Sequence, residues 1–249
     1  EESIDRFLNI FERVHRDTPI DRLRWFFDHA ETVSERSLER IKALGGGIAT
    51  QHRMAYQGEY YIRRYGKESA RKRPPIQQML RMGIPVGAGT DGTRVASYHP
   101  WTCLWWMVTS KTIGGTTLGH PEDCLSREEA LRRYTQGSAW FSREDDLKGT
   151  LAPGFFADLA VLSDDYFTVE PDEIRGLESV LTMVGGMVVH GSGEFAALAP
   201  DLPPPSPDWS PVKHVSGYNN TKPIPPAHSH IPVMAADGRV WDTGCGCNL

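Results

Sequence analysis

Three short apolar runs each end on a polar group suited to chemistry: RLRWFFDHAE turns polar at Asp28 and His29, GIATQ ends at Gln51 and His52, and IPVGAGTD ends at Asp91. Helical stretches stand before and between them. In the first, Ile4, Phe7, Leu8, Phe11 and Val14 recur at spacings of three and four and make one buried stripe. In the second, Thr32 with Glu35 reads as a capping box, Leu38, Ile41 and Leu44 mark an inner face, and Gly45-Gly46-Gly47 stops the helix. A third, IQQMLRMG, precedes the last run. This alternation predicts an α/β chain of parallel strands joined by helical crossovers, in which working side chains gather at the C-terminal ends of the strands. His29, His52 and Asp91 all fall at such ends.

Beyond Asp91 the spacing predicts a long apolar helix at PWTCLWWMVTSKT and another at SREEALRRYTQGSAWF, opened by a Ser126/Glu129 capping box. From Lys148 the pattern changes. KGTLAPGFFADLAVLS reads as a short strand, a Pro-Gly turn and a second strand, and SVLTMVGGMVVHG as a hairpin around Gly185-Gly186. The expected divisions are residues 1–147, a small β unit at 148–198, and a proline-rich tail at 199–249.

With 249 residues and a formal charge of −5, the chain has ample material for a core and a mild charge balance that favours neither nucleic acid nor an anionic membrane surface. The expected partner is a small molecule. No window approaches the run of about 18 apolar residues that a membrane helix needs. Four cysteines do not define a disulfide framework, which favours a cytoplasmic setting. A homo-oligomer is left open.

The ordered set DHAE, GAGTDGTR, SREEALRRYTQGSAWF, KGTLAPGFFADLAVL and VLTMVGGMVVHG resembles the amidohydrolase superfamily, in its branch with the amidohydrolase-type-3 domain, over roughly residues 1–195. The resemblance implies the C-terminal part of a metal-dependent-hydrolase TIM-like (β/α)8 barrel followed by strands of a small β-sandwich. It also implies one or two divalent metal ions per intact site, zinc being the expectation, and hydrolysis of a carbon–nitrogen bond in a non-peptide or cyclic amide. In that family the ligands are a His-x-His pair after the first strand, a ligand after the fourth, histidines after the fifth and sixth, and an aspartate after the eighth. His29 matches the sixth-strand histidine and Asp91 the eighth-strand aspartate, and the other ligands have no match here. The chain lacks an initiator Met, and its first helix has no preceding partner, so an N-terminal portion is expected upstream. The half barrel is expected to expose apolar edges and to turn over little alone.

Asp91 is therefore the candidate catalytic proton carrier and metal ligand, against the alternative of an Asx-type turn before Gly92. His29 is the second candidate ligand, with Asp28 and Glu31 as orienting groups, against a half-buried structural histidine. His52, Arg94 and His99 are candidate substrate contacts, against a solvated loop histidine, a surface ion pair and a helix-opening residue respectively. Arg53–Arg73, rich in arginine and tyrosine, reads as a lid over the strand ends in preference to a nucleic-acid surface. Cys245-Gly246-Cys247, with His228 and His230, lacks the spacing of common zinc sites and is taken as tail. The rival function is a non-catalytic remnant or partner-binding module with a half-barrel fold.

Overall fold

A computed structural model describes residues 1–71, 74–92 and 95–201. Its first helix, α1 (Glu2–Asp17), buries Leu8 fully and sets Phe11 against the rings of Trp25 and Phe27 at 5.0 and 6.1 Å between centroids. Strand β1 is shorter than the apolar run predicts and covers Phe26–Asp28. The cause is local: Arg24 takes a left-handed φ of 51°, so the backbone before it is turned away from the sheet and Leu23 lies exposed.

Helix α2 (Glu35–Ala43) starts as predicted but is capped differently. Ser34, not Thr32, is the N-cap, its hydroxyl accepting from Ser37 N at 3.2 Å. The Glu1 carboxylate decides between them, taking Ser34 N at 2.7 Å, Ser34 Oγ at 2.7 Å and Ser37 Oγ at 2.8 Å. Arg40 on α2 then reaches Glu12 Oε1 at 2.5 Å, Asp5 Oδ1 at 2.6 Å and Asn9 Oδ1 at 2.7 Å, which clamps α2 to α1.

Strand β2 (Gly47–Gln51), helices α3 (Met54–Tyr65), α4 (Lys67–Ala70) and α5 (Ile76–Arg81), and strand β3 (Val86–Gly89) follow. The strands form a parallel sheet in the order β1-β2-β3, with Phe26 opposite Gly47, Ile48 opposite Val86 and Gln51 opposite Gly89. Alternation gives the sheet two faces. Ile48 and Val86 join Leu8, Leu38 and Ile41 in the apolar core, with Phe27 packed against it. On the other face Phe141 meets Phe26 edge-on, and Gly47 and Gly87 leave room for Trp140 and Phe141.

After α6 (Pro100–Thr109) and a loop, those aromatics arrive on a continuous helical segment made of α7 (Arg127–Arg132), a π-helical turn (Arg133–Gly137) and α8 (Ser138–Phe141). The Ser126/Glu129 capping box is present as predicted. The edge of β3 away from β2 is not open. Ser138 Oγ accepts from Ala88 N at 3.2 Å and lies 2.8 Å from the Ala88 carbonyl, to which it can donate, while a Cβ on Gly137 would stand 2.4 Å from Val86 O. The expectation of a bare apolar edge is corrected at this strand, because the chain's own helix covers it.

The C-terminal unit is an antiparallel sheet of β4 (Leu159–Leu162), β5 (Ser179–Val184) and β6 (Met187–Gly191). The predicted hairpin turns at Gly185 and Gly186, both at positive φ. The strand expected before the Pro-Gly turn is not formed: Phe155 N bonds Ala152 O and Phe156 N bonds Leu147 O, closing turns in its place. The expected tail from residue 202 onward, with His228, His230, Cys245 and Cys247, lies outside the described residues.

A Cβ on Gly87 would stand 2.7 Å from Phe141 Cε2 and 3.2 Å from the Ser138 backbone. Gly87→Ala should lower the unfolding free energy by about 1–3 kcal/mol. Urea denaturation of the variant with an unchanged midpoint would show that α8 does not pack on this strand.

Candidate functional site

The strand tips stand side by side, and each carries a distorted backbone. After β1, His29 N still bonds Ala49 O at 2.8 Å, and then Ala30 N bonds back to Asp28 O at 3.0 Å across a His29 φ of 71°. That is a γ-turn with positive φ, which a residue bearing a Cβ adopts at a cost, here followed by Ala30 at φ 53°. After β3, Asp91 takes φ 48°. Gly92 follows because nothing larger fits: a Cβ there would lie 2.5 Å from the Tyr98 Cα. Both candidate ligands thus occupy strained positions, the kind of outlier that collects at functional sites.

The two side chains face each other, with His29 Nδ1 3.9 Å from Asp91 Oδ2 and each about two-fifths exposed (42% and 41%). At that distance they do not hydrogen-bond. The nearer partner of Nδ1 is Gln51 Oε1, at 2.7 Å. Gln51 therefore holds the imidazole, in place of the expected Asp28 or Glu31. Glu31 Oε1 is buried with no hydrogen-bond partner among the described residues. The signal for Gln51 was alternation: it shares a face with Gly47 and Ala49, the face not packed into the helical core.

His52 has the opposite parity, that of Ile48 and Thr50, and its surroundings follow. The ring has no exposed surface, is covered edge-on by Tyr56 at 5.6 Å, and has neither nitrogen in a hydrogen bond among the described residues. Burial lowers its pKa from 6.5 to about 4, with the nearby Gly89 carbonyl opposing in part. Instead of facing substrate, His52 is enclosed beneath the strand tips. His99 is also turned elsewhere. It stands before α6, 3.5 Å from Thr102 Oγ1, and burial lowers its pKa while Glu178 and the Leu177 carbonyl oppose that shift, so it faces the β unit. Arg94 lies outside the described residues. The described residues of the Arg53–Arg73 segment are mostly helix, and α3 rests on the loop after α6 through Ile113 N to Ala55 O and Thr112 Oγ1 to Glu59. Cys103, fully buried with its thiol pushed far up by desolvation, offers no nucleophile.

His29 and Asp91 are chemically suited to a divalent ion, one imidazole and one carboxylate. Among the described residues, however, no group of three His, Cys, Asp or Glu side chains could hold one. Two donors do not make a catalytic metal site by themselves, which needs about three protein ligands. A cleft lined by Arg71, Gln78, Arg81 and Trp106 lies against α5 and α6 and includes none of the strand-tip residues. No helix among the described residues is long and apolar enough to cross a membrane.

The sequence profile of the amidohydrolase family matches residues 1–190. An N-substituted formamide deformylase from Arthrobacter pascens is 28% identical over 188 residues, which is 75% of this chain and 34% of that protein. A 5-methylthioadenosine/S-adenosylhomocysteine deaminase from Nitratidesulfovibrio vulgaris is 33% identical over 130 residues, 49% of this chain and 29% of that protein. Among solved structures, an uncharacterized metal-dependent hydrolase from Pyrococcus horikoshii superimposes with a TM-score of 0.56 at 25% identity, over 69% of this chain and 34% of that one. The chain thus spans about a third of the length of the curated relatives it matches.

The burial of His52 sets a pH dependence. Its folded pKa of about 4 lies below the ordinary 6.5, so between those values the unfolded chain holds more protons, and stability present above pH 6.5 is lost as the pH falls toward 4. This group alone should lower the unfolding free energy by about 2 kcal/mol from about pH 7.5 to pH 5. Denaturant titrations at the two pH values should show a smaller loss in His52→Leu. An equal loss in both proteins would mean that His52 is not held neutral.

Proposed function

Because this chain belongs to the amidohydrolase family, in its type-3 branch, we propose that the whole protein is a metal-dependent hydrolase of a carbon–nitrogen bond in an amide or related small molecule. The observation that carries the reading is the pair His29 and Asp91, 3.9 Å apart at the strained ends of β1 and β3. They would supply two ligands to a divalent ion, zinc for preference, with the remaining donors coming from outside the described residues. The named relatives, a formamide deformylase and an adenosine-type deaminase, support the reaction class, since both names describe removal of a group across a carbon–nitrogen bond.

When bound, such an ion supplies Lewis-acid polarisation of the substrate and lowers the pKa of water toward about 7. The protein's own part is proton traffic and orientation. Asp91 accepts the proton that the attacking water gives up and returns it to the departing nitrogen, so the carbon–oxygen bond forms and the carbon–nitrogen bond breaks without net proton gain. Its half-open position lets the carboxylate swing between the two. His29 is held in place by Gln51. Arg94, three residues past Asp91, is proposed to steer an anionic part of the substrate.

The donor count also predicts that these 249 residues alone turn over little. The test is made in the whole protein, with zinc content measured alongside hydrolysis of N-substituted formamides and simple cyclic amides. Asp91→Asn should lower kcat by about 10²–10⁴-fold, and chelation should abolish activity that zinc restores. A fully active Asp91→Asn enzyme would end the proton-carrier role, and a metal-free protein without hydrolysis would favour the partner-binding module.

A further inference from the structure

The geometry points to Gln51 as a positioning residue that fixes His29 in the tautomer with its proton on Nδ1, leaving Nε2 as the unprotonated ligand nitrogen; its consequence for metal binding rests on the reading of His29 as a ligand. A neutral imidazole free in water carries its proton mainly on Nε2, so the opposite tautomer needs an acceptor held at Nδ1. Two oxygens face that nitrogen, Gln51 Oε1 at 2.7 Å and Asp91 Oδ2 at 3.9 Å. Only the first is within hydrogen-bond reach.

Gln51 is suited to the task by its place. It is the last residue of β2, its Cα is paired with Gly89, and only 9% of its surface is exposed, so water competes poorly for its amide. His29 is anchored to the same strand by the bond from its own N–H to Ala49 O. Both ends of the side-chain hydrogen bond are therefore fixed by one sheet. The arrangement also divides labour. Because a neutral amide serves Nδ1, the Asp91 carboxylate is left without that hydrogen bond and free for proton transfer. Ligating histidines are commonly oriented by such a second hydrogen bond, whose loss weakens metal binding about 10–100-fold.

Long-range nitrogen–proton NMR on the full 249-residue chain tests this without requiring activity. At about pH 8.5, where an ordinary imidazole is neutral, His29 should show its proton on Nδ1 in the unmodified chain and on Nε2 in Gln51→Leu, while Gln51→Glu, which keeps an acceptor, should retain the Nδ1 proton. In the whole protein, with the remaining donors present, zinc titration should show Gln51→Leu binding about 10–100-fold more weakly than the unmodified protein. A proton on Nε2 in the unmodified chain would overturn the assignment, as would a Gln51→Leu variant that keeps both the Nδ1 tautomer and its zinc affinity. If the tautomer is as assigned but zinc leaves the His29 signals of the whole protein unmoved, the ligand reading fails and the positioning role of Gln51 stands.

Discussion

A strand in a parallel sheet carries hydrogen-bonding groups along both edges, and each that finds no strand partner must be paired in another way. In this chain that requirement falls on β3. Its inner edge pairs with β2, and its outer edge is met by a helix instead of a strand, with the Ser138 hydroxyl spanning the N–H and carbonyl of Ala88. The rest of the arrangement depends on this contact. It brings Trp140 and Phe141 onto the small-residue face at Gly47 and Gly87, and so covers the sheet on the side that the first helices do not reach.

Once the sheet is covered on both faces, its tips are fixed relative to one another, and strained side-chain positions become sustainable there. Three residues with side chains, His29, Ala30 and Asp91, hold positive φ at the ends of two strands. Each such position costs on the order of 1–3 kcal/mol, which local sequence would not support without the surrounding packing. The same rigidity separates two histidines that look alike in sequence. His29 stands at an open tip with a hydrogen-bond partner, whereas His52, on the helix-facing parity, is enclosed and held neutral by desolvation.

Much of the fold was legible in the sequence because helix and strand periodicity, capping boxes and glycine turns act over a few residues. β2, the Ser126 box and the Gly185-Gly186 hairpin follow the prediction closely. The departures have two causes, one a contact between distant residues and one a local turn. Thr32 has a capping spacing, but the Glu1 carboxylate favours Ser34. The run at Leu23 is apolar, but the turn at Arg24 delays pairing until Phe26.

The sequence by itself determined the order of elements, the parallel crossovers, the three polar strand ends and the family they resemble, because each of these is written in spacing along the chain. Only the tertiary structure decided which strand-end groups meet. His29 and Gln51 are joined across a whole crossover helix, His99 is drawn to Leu177 and Glu178, and the free edge of β3 is closed by Ser138. Those pairings arise from strand register and from burial, and both are properties of the packed sheet that no local pattern carries.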